Sequence, residues 1–169
     1  MKSKQIKVMA VTAILMAFNI VLSSFGVPVP GGRMDLNDVI ICTAAILLNP
    51  FGAFMVGGVG AFIGDLLFYP TPMFVSLVTH GLQAVVISLA TRRLGKDRPS
   101  GSAIGVAIGA VSLVVGYSLG RAFIYSTPEY ALLKLPFQIA QAVVGAVVGW
   151  LLCWKCKIAE LYEKRFGIM

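Results

Sequence analysis

Apolar segments follow one another along this chain with so little polar sequence between them that a membrane-embedded helix bundle is the fold they impose. Each runs for about 14 to 25 residues, and about 18 apolar residues in a row are enough to carry a helix across the hydrocarbon core. Composition agrees: 58% of the 169 residues are hydrophobic, 12% are charged and the mean hydropathy is +0.88, whereas soluble domains average about 25% charged. The expected class is an all-α membrane protein. Residues 1–169 form one integral membrane domain, because no stretch is left over for a soluble domain of ordinary size.

Polar or Pro/Gly-rich breaks divide the chain into six expected transmembrane helices, at about residues 4–25, 36–49, 51–69, 73–91, 101–125 and 131–155. The second covers only about 21 Å, less than the roughly 30 Å core, so it must tilt little or end inside protein. Asn49-Pro50 ends it sharply, since Pro disfavours helix in the residue before it. The first segment, "KSKQIKVMAVTAILMAFNIVL", has the basic start and apolar centre of a signal peptide, but its length, its Met content and the five spans after it favour an uncleaved helix.

Charge fixes the direction. A cytoplasmic N-terminus puts eleven basic residues inside (Lys2, Lys4, Lys7, Arg92, Arg93, Lys96, Arg98, Lys155, Lys157, Lys164 and Arg165) and leaves three outside, Arg33, Arg121 and Lys134. That is a strong positive-inside bias and places both termini in the cytoplasm. It also accounts for the net charge of +7 without nucleic acid, because the basic residues are sorted by membrane side. Cys42, Cys153 and Cys156 are an odd set with no second pair or adjacent His, so packing is preferred over a redox or metal role, and no metal site is expected.

Small residues recur four apart: Ala13 and Ala17; Gly60 and Gly64; Gly101, Gly105 and Gly109; Gly116 and Gly120; Ala142 and Ala146; Gly145 and Gly149. Such strips let helix backbones approach closely in lipid. Asp65, in "GAFIGDLLFYPTPMF", falls about 6 Å below the outer end of the third helix. It either snorkels to water or caps the next helix, or it stands with Tyr69 on the rim of an outward-facing site.

Polar residues on the last three helices share faces by their spacing: His80 and Gln83; Tyr117, Arg121 and Tyr125; Lys134, Gln138 and Gln141. His80, Tyr117 and Gln138 fall at matching depth, about 10 to 12 Å below the outer surface. Singly, each reads as an interhelical hydrogen bond; as a set they suggest a ligand pocket, which Phe68, Tyr69, Phe74, Phe123, Tyr125 and Phe137 would suit to a small flat molecule. Arg121 and Lys134 either read a carboxylate or phosphate or are solvated loop charges. Asp35 and Asp38 suggest lid and helix-cap chemistry. The inner half of the same helices holds almost nothing polar, so the site ends blind, unlike a channel or proton path.

Over nearly its whole length, and most closely in "DLNDVIICTAAILLNPFGAFMVGGVGAFIGDLLF" and "PTPMFVSLVTHGLQAVVISLATRRLG", the chain resembles the substrate-binding S components of energy-coupling factor (ECF) vitamin transporters, in the riboflavin, hydroxymethylpyrimidine and pyridoxine-type branch. The resemblance implies a high-affinity subunit of an ABC-type importer that captures a small vitamin outside. It implies a transmembrane scaffold subunit and two ATPase subunits as partners, with surrounding lipid and no nucleic acid. Docking falls to small residues on the first helix, here Ala13 and Ala17, and "GVPVPGGRMDLND" serves as a lid. The resemblance further implies delivery by toppling of the whole subunit, in keeping with the missing inner path. No Walker A sequence occurs, so ATP belongs to the partner subunits and this chain needs no cofactor of its own. The neutral polar set suits a pyridine- or pyrimidine-type vitamin or precursor, with riboflavin second and pantothenate or a queuosine precursor open. A membrane enzyme would need a nucleophile with a base, a metal cluster or paired carboxylates, and no catalytic residue is found; a self-sufficient secondary transporter would show paired broken helices, and only the second is interrupted.

Overall fold

The computed structural model of the chain describes residues 2–95 and 98–166, with the backbone alone for residues 2–4. Lys96, counted above on the cytoplasmic side, lies outside the described residues. Helix α1 (Lys2–Ser23) leads into an antiparallel hairpin of β1 (Val27–Val29) and β2 (Gly32–Met34), with Val27 opposite Met34 and Val29 opposite Gly32. Then come α2 (Asn37–Leu47), α3 (Pro50–Phe68), α4 (Met73–Gly95), α5 (Pro99–Tyr125), α6 (Pro128–Trp154) and α7 (Ile158–Phe166). Helix ends fall within four residues of the segments expected from sequence. Among the described residues five helices, α1 from Gln5 onward and α3 to α6, are long and apolar enough to cross a membrane. The hairpin was not expected, because its short, mixed sequence carries no apolar period; α7 carries one, in Ile158, Ala159, Leu161, Tyr162 and Phe166, but is too short and too polar to read as a span.

The short α2 is the centre of the bundle. All residues from Ile41 to Leu48 are buried, enclosed by α1, α4 and α6. A helix sheathed in protein needs no lipid-spanning length, provided its end groups find partners. They do: Ser88 donates to the Leu48 carbonyl at 2.8 Å, and the Asn49 side chain accepts from the Gly52 amide at 2.8 Å to cap α3, with Pro50 in its first turn.

Two π-helical turns interrupt longer helices, Met55–Val59 in α3 and Arg121–Tyr125 at the end of α5. Such a turn disturbs the regular i to i−4 ladder and leaves carbonyl groups in need of a donor. In α3 that donor is the buried Asn19 of α1, whose side-chain amide reaches the Val56 carbonyl.

The small-residue strips sort by what faces them. Gly60 and Gly64 meet Asn19 and Ser23 of α1; Gly105, Gly109, Gly116 and Gly120 receive Thr91, Ile87, Thr79 and Val75 of α4; Gly145 and Gly149 meet Asp38 and Cys42 of α2. Ala13 and Ala17 differ, because both are exposed on α1 beside Ile14 and Phe18. Cys153 is buried with its thiol 3.8 Å from the Thr43 carbonyl, while Cys156 is exposed just beyond α6.

A Cβ at Gly149 would lie 2.7 Å from Cys42 Cβ and 3.0 Å from the Val39 carbonyl oxygen. Gly149→Val should therefore force α2 from α6 and destabilise the fold by about 1–3 kcal/mol, lowering the melting temperature in detergent. Ala17→Val, on an exposed face, should stay within about 0.5 kcal/mol of the parent.

Candidate functional site

One buried carboxylate ties three helices together below the hairpin. Asp38, in the first turn of α2 and 1% exposed, accepts from Gln83 Nε2 of α4 at 3.2 Å through Oδ1 and from Gln141 Nε2 of α6 at 2.7 Å through Oδ2. His80 Nδ1 lies 3.4 Å from Asp38 Oδ1 and 3.0 Å from Gln83 Oε1, so a proton on Nδ1 serves both acceptors. The expectation of cap chemistry for Asp38 is corrected here: α2 begins at Leu36 without a side-chain cap. The carboxylate instead points sideways into the bundle, where its charge needs donors.

A second chain of hydrogen bonds runs beside the first. Ser76 of α4 donates to Asp65 of α3 and is also bonded to the Tyr117 hydroxyl of α5. The Tyr117 ring stands edge-on to His80, with centroids 5.2 Å apart at 68°. Asp65 thus neither snorkels to water nor caps α4; it is buried and faces the pocket. His80 and Tyr117, carried by separate helices, are thus brought into contact.

These residues border a small pocket of about 20 Å³ lined by Arg33, Asp35, Asp65, Tyr69, Pro72, Tyr117, Arg121, Gln138 and Gln141. A more apolar cavity of about 110 Å³, lined by Met34, Leu36, Val39, Ala140 and Val144, shares Asp35 and Gln141 with it and also reaches Asp38. Of the expected site residues, Asp65, Tyr69, Tyr117, Arg121, Gln138 and Gln141 line the small pocket, while His80 and Gln83 lie behind them in the Asp38 network. The aromatic expectation is only partly met. Phe68, Phe74 and Phe123 are 44%, 64% and 77% exposed and face away from the pocket, as residues of an interfacial belt do.

The hairpin covers this end of the bundle. Arg33 Nε lies 2.8 Å from Asp35 Oδ1, and Arg33 Nη1 donates to the Phe68 carbonyl at 3.4 Å. The Asp35 amide donates to Gln141 Oε1 at 3.3 Å, so the strand leaving the hairpin is joined to the polar network itself. Burial pushes the Asp35 carboxyl above its ordinary range, against the opposing pull of Arg33 and His80. Lys134 Nζ donates to the Arg33 carbonyl at 2.6 Å. Arg121 and Lys134 are both buried, which removes the reading of solvated loop charges.

Sequence reasoning missed Asp38, Asp35 and Arg33 as members of this cluster. The available signal was a carboxylate at the head of a segment apolar on every side, since an ionisable group entering such a segment requires a named partner.

Comparison with known proteins agrees with this architecture. The profile of the family described as ECF-type riboflavin transporter, S component, matches residues 3–157. A thiamine precursor transporter, HmpT, of Lactococcus lactis subsp. cremoris (strain MG1363) is 30% identical over 174 aligned positions, covering 100% of this chain and 95% of the relative. An uncharacterized protein in a gap 3'region of Pyrococcus woesei is 27% identical over 143 residues, 83% of this chain and 90% of that one. With apolar helices of spanning length and a profile match over most of its residues, the chain belongs to the ECF-type riboflavin transporter S component family, a family of integral plasma-membrane transport subunits and not of enzymes.

Proposed function

We propose that the chain is the solute-capturing subunit of an ECF importer and that it takes up a pyrimidine- or pyridine-type vitamin precursor at the hairpin-covered pocket. The observation that carries this reading is the similarity along the whole chain to a thiamine precursor transporter. The side chains support it: Gln138 and Gln141 line the pocket and offer neutral donors and acceptors to a heteroaromatic ring with hydroxyl or amino substituents, His80 and Gln83 stand behind them, and Tyr69 and Tyr117 offer ring faces. A pocket of about 20 Å³ is smaller than such a ring, so the hairpin and Gln141 must shift to admit it. Riboflavin is the second reading, favoured by the family whose profile matches.

The membrane arrangement follows from the same reading. The chain crosses six times, with α2 as a short crossing enclosed by protein, the hairpin outside and both termini in the cytoplasm. The positive-inside bias supports this direction. The exposed strip of Ala13 and Ala17 on α1 docks the transmembrane scaffold subunit, and two partner ATPases use the ATP. Small residues facing outward, when the glycine strips of the bundle meet a neighbouring helix and Ala142 and Ala146 lie buried, support that assignment.

The protein purified in detergent should bring a vitamin precursor with it, identified by mass spectrometry, and titration of that compound against intrinsic fluorescence should give submicromolar affinity. Absence of any ligand across hydroxymethylpyrimidine, pyridoxine and riboflavin would overturn the reading. His80→Ala and Gln138→Ala should each weaken binding by about 1–3 kcal/mol, roughly five- to 150-fold, with the fold retained; unchanged affinity in both would move the pocket elsewhere. Ala13→Trp combined with Ala17→Trp should abolish uptake in cells holding the complete importer and leave binding intact, and uptake at the parent rate would remove α1 as the docking face.

A further inference from the structure

Two buried cations without an ion-pair partner stand where the hairpin meets the pocket. Arg121 is 5% exposed and Lys134 1%. Among the described residues the ion pairs are Arg33 with Asp35, His80 with Asp38 and, on α7, Lys164 with Glu160. None includes Arg121 or Lys134. Arg121 has the ring of Tyr125, 5.5 Å from Cζ to centroid, and Lys134 has one backbone carbonyl, that of Arg33.

The neighbouring carboxylates are committed elsewhere. Asp35 faces Arg33, Asp38 is filled by Gln83 and Gln141, and Asp65 accepts a hydrogen bond from the Ser76 hydroxyl. Unused donors remain as well: Arg33 Nη2 and the Tyr125 hydroxyl are buried without a hydrogen-bond partner. Buried charge is costly unless paired and hydrogen-bonded, and two buried cations that no carboxylate pairs are complementary to an oxyanion.

The hairpin tip is shaped to lie on these two cations. A Cβ at Gly32, whose φ is +151°, would stand 3.4 Å from Arg121 Nη2, and one at Gly31, with φ +79°, would stand 2.7 Å from the Tyr130 carbonyl oxygen and 2.9 Å from Lys134 Cβ. Both φ values also favour glycine. The tip therefore rests directly on the cation-bearing ends of α5 and α6, and it shields from water whatever lies between them.

We infer that the solute carries an anionic group, a carboxylate or a phosphate monoester, held between Arg121 and Lys134 beneath the hairpin tip, while its ring lies toward Gln138 and Gln141. The inference rests on the solute-binding reading above and names the substrate class of that site. Arg121 supplies a planar pair of donors and Lys134 a point charge.

The test is calorimetric titration of the full chain in detergent with hydroxymethylpyrimidine, its phosphate monoester and pantothenate, repeated on Arg121→Gln and Arg121→Lys. The phosphate ester should bind at least about tenfold more tightly than the alcohol. Arg121→Gln should bring that ratio to about one, and Arg121→Lys should restore part of it. Tight binding of pantothenate without either pyrimidine would support the anion site with a carboxylate as its source, and would overturn the ring assignment. Binding of the alcohol as tightly as its phosphate would overturn the anion inference and leave the solute-binding reading standing. No binding of any of these probes, nor of pyridoxine or riboflavin, would overturn both. A phosphate preference that survives in a folded Arg121→Gln protein would overturn the assignment to Arg121.

Discussion

The carboxylate of Asp38 is the constraint around which the outer half of the bundle is arranged. A charge that is 1% exposed in an apolar interior is tolerable only if donors meet it from several sides. Gln83 comes from α4 and Gln141 from α6, and His80 stands within reach of the same oxygen as Gln83. Each donor fixes the rotation of the helix that carries it. The faces of α4 and α6 that turn toward α2 therefore also turn Gln138 and Gln141 to the pocket, and the second network through Ser76 brings Asp65 and Tyr117 beside them.

The network and the hairpin are one mechanical unit. Gln141 donates to Asp38 with its nitrogen and accepts the Asp35 amide with its oxygen. A ligand group that displaced this side chain would break both contacts at once, loosening the strand that leaves the hairpin. Lys134 holds the next point along the chain through the Arg33 carbonyl. The hairpin strand and the Asp38 network are thus joined through shared hydrogen bonds.

Along the whole length of the bundle, association relies on close packing of small residues. Glycines of α3, α5 and α6 take side chains of α1, α4 and α2 at distances that leave no space for a methyl group. Away from the Asp38 network, buried polar groups serve local needs, such as Ser88 at the end of α2 and Asn19 at the π turn of α3.

The sequence by itself determined the class, the positions of the helices and the faces of α4, α5 and α6 that carry polar groups, because hydropathy and helical spacing are local properties read along the chain. It also marked α2 as too short to face lipid alone. Its spacing marked Ala13 and Ala17 in the same way as Gly145 and Gly149, and only packing showed that the glycines meet a helix while the alanines meet none. The role of Asp38 likewise depended on which side chains two other helices, 45 and 103 residues away in sequence, would present to it. Burial of Arg121 and Lys134 depended on where a hairpin with no apolar period would lie. Those outcomes rest on contacts between distant segments, and for that reason the tertiary structure alone decided them.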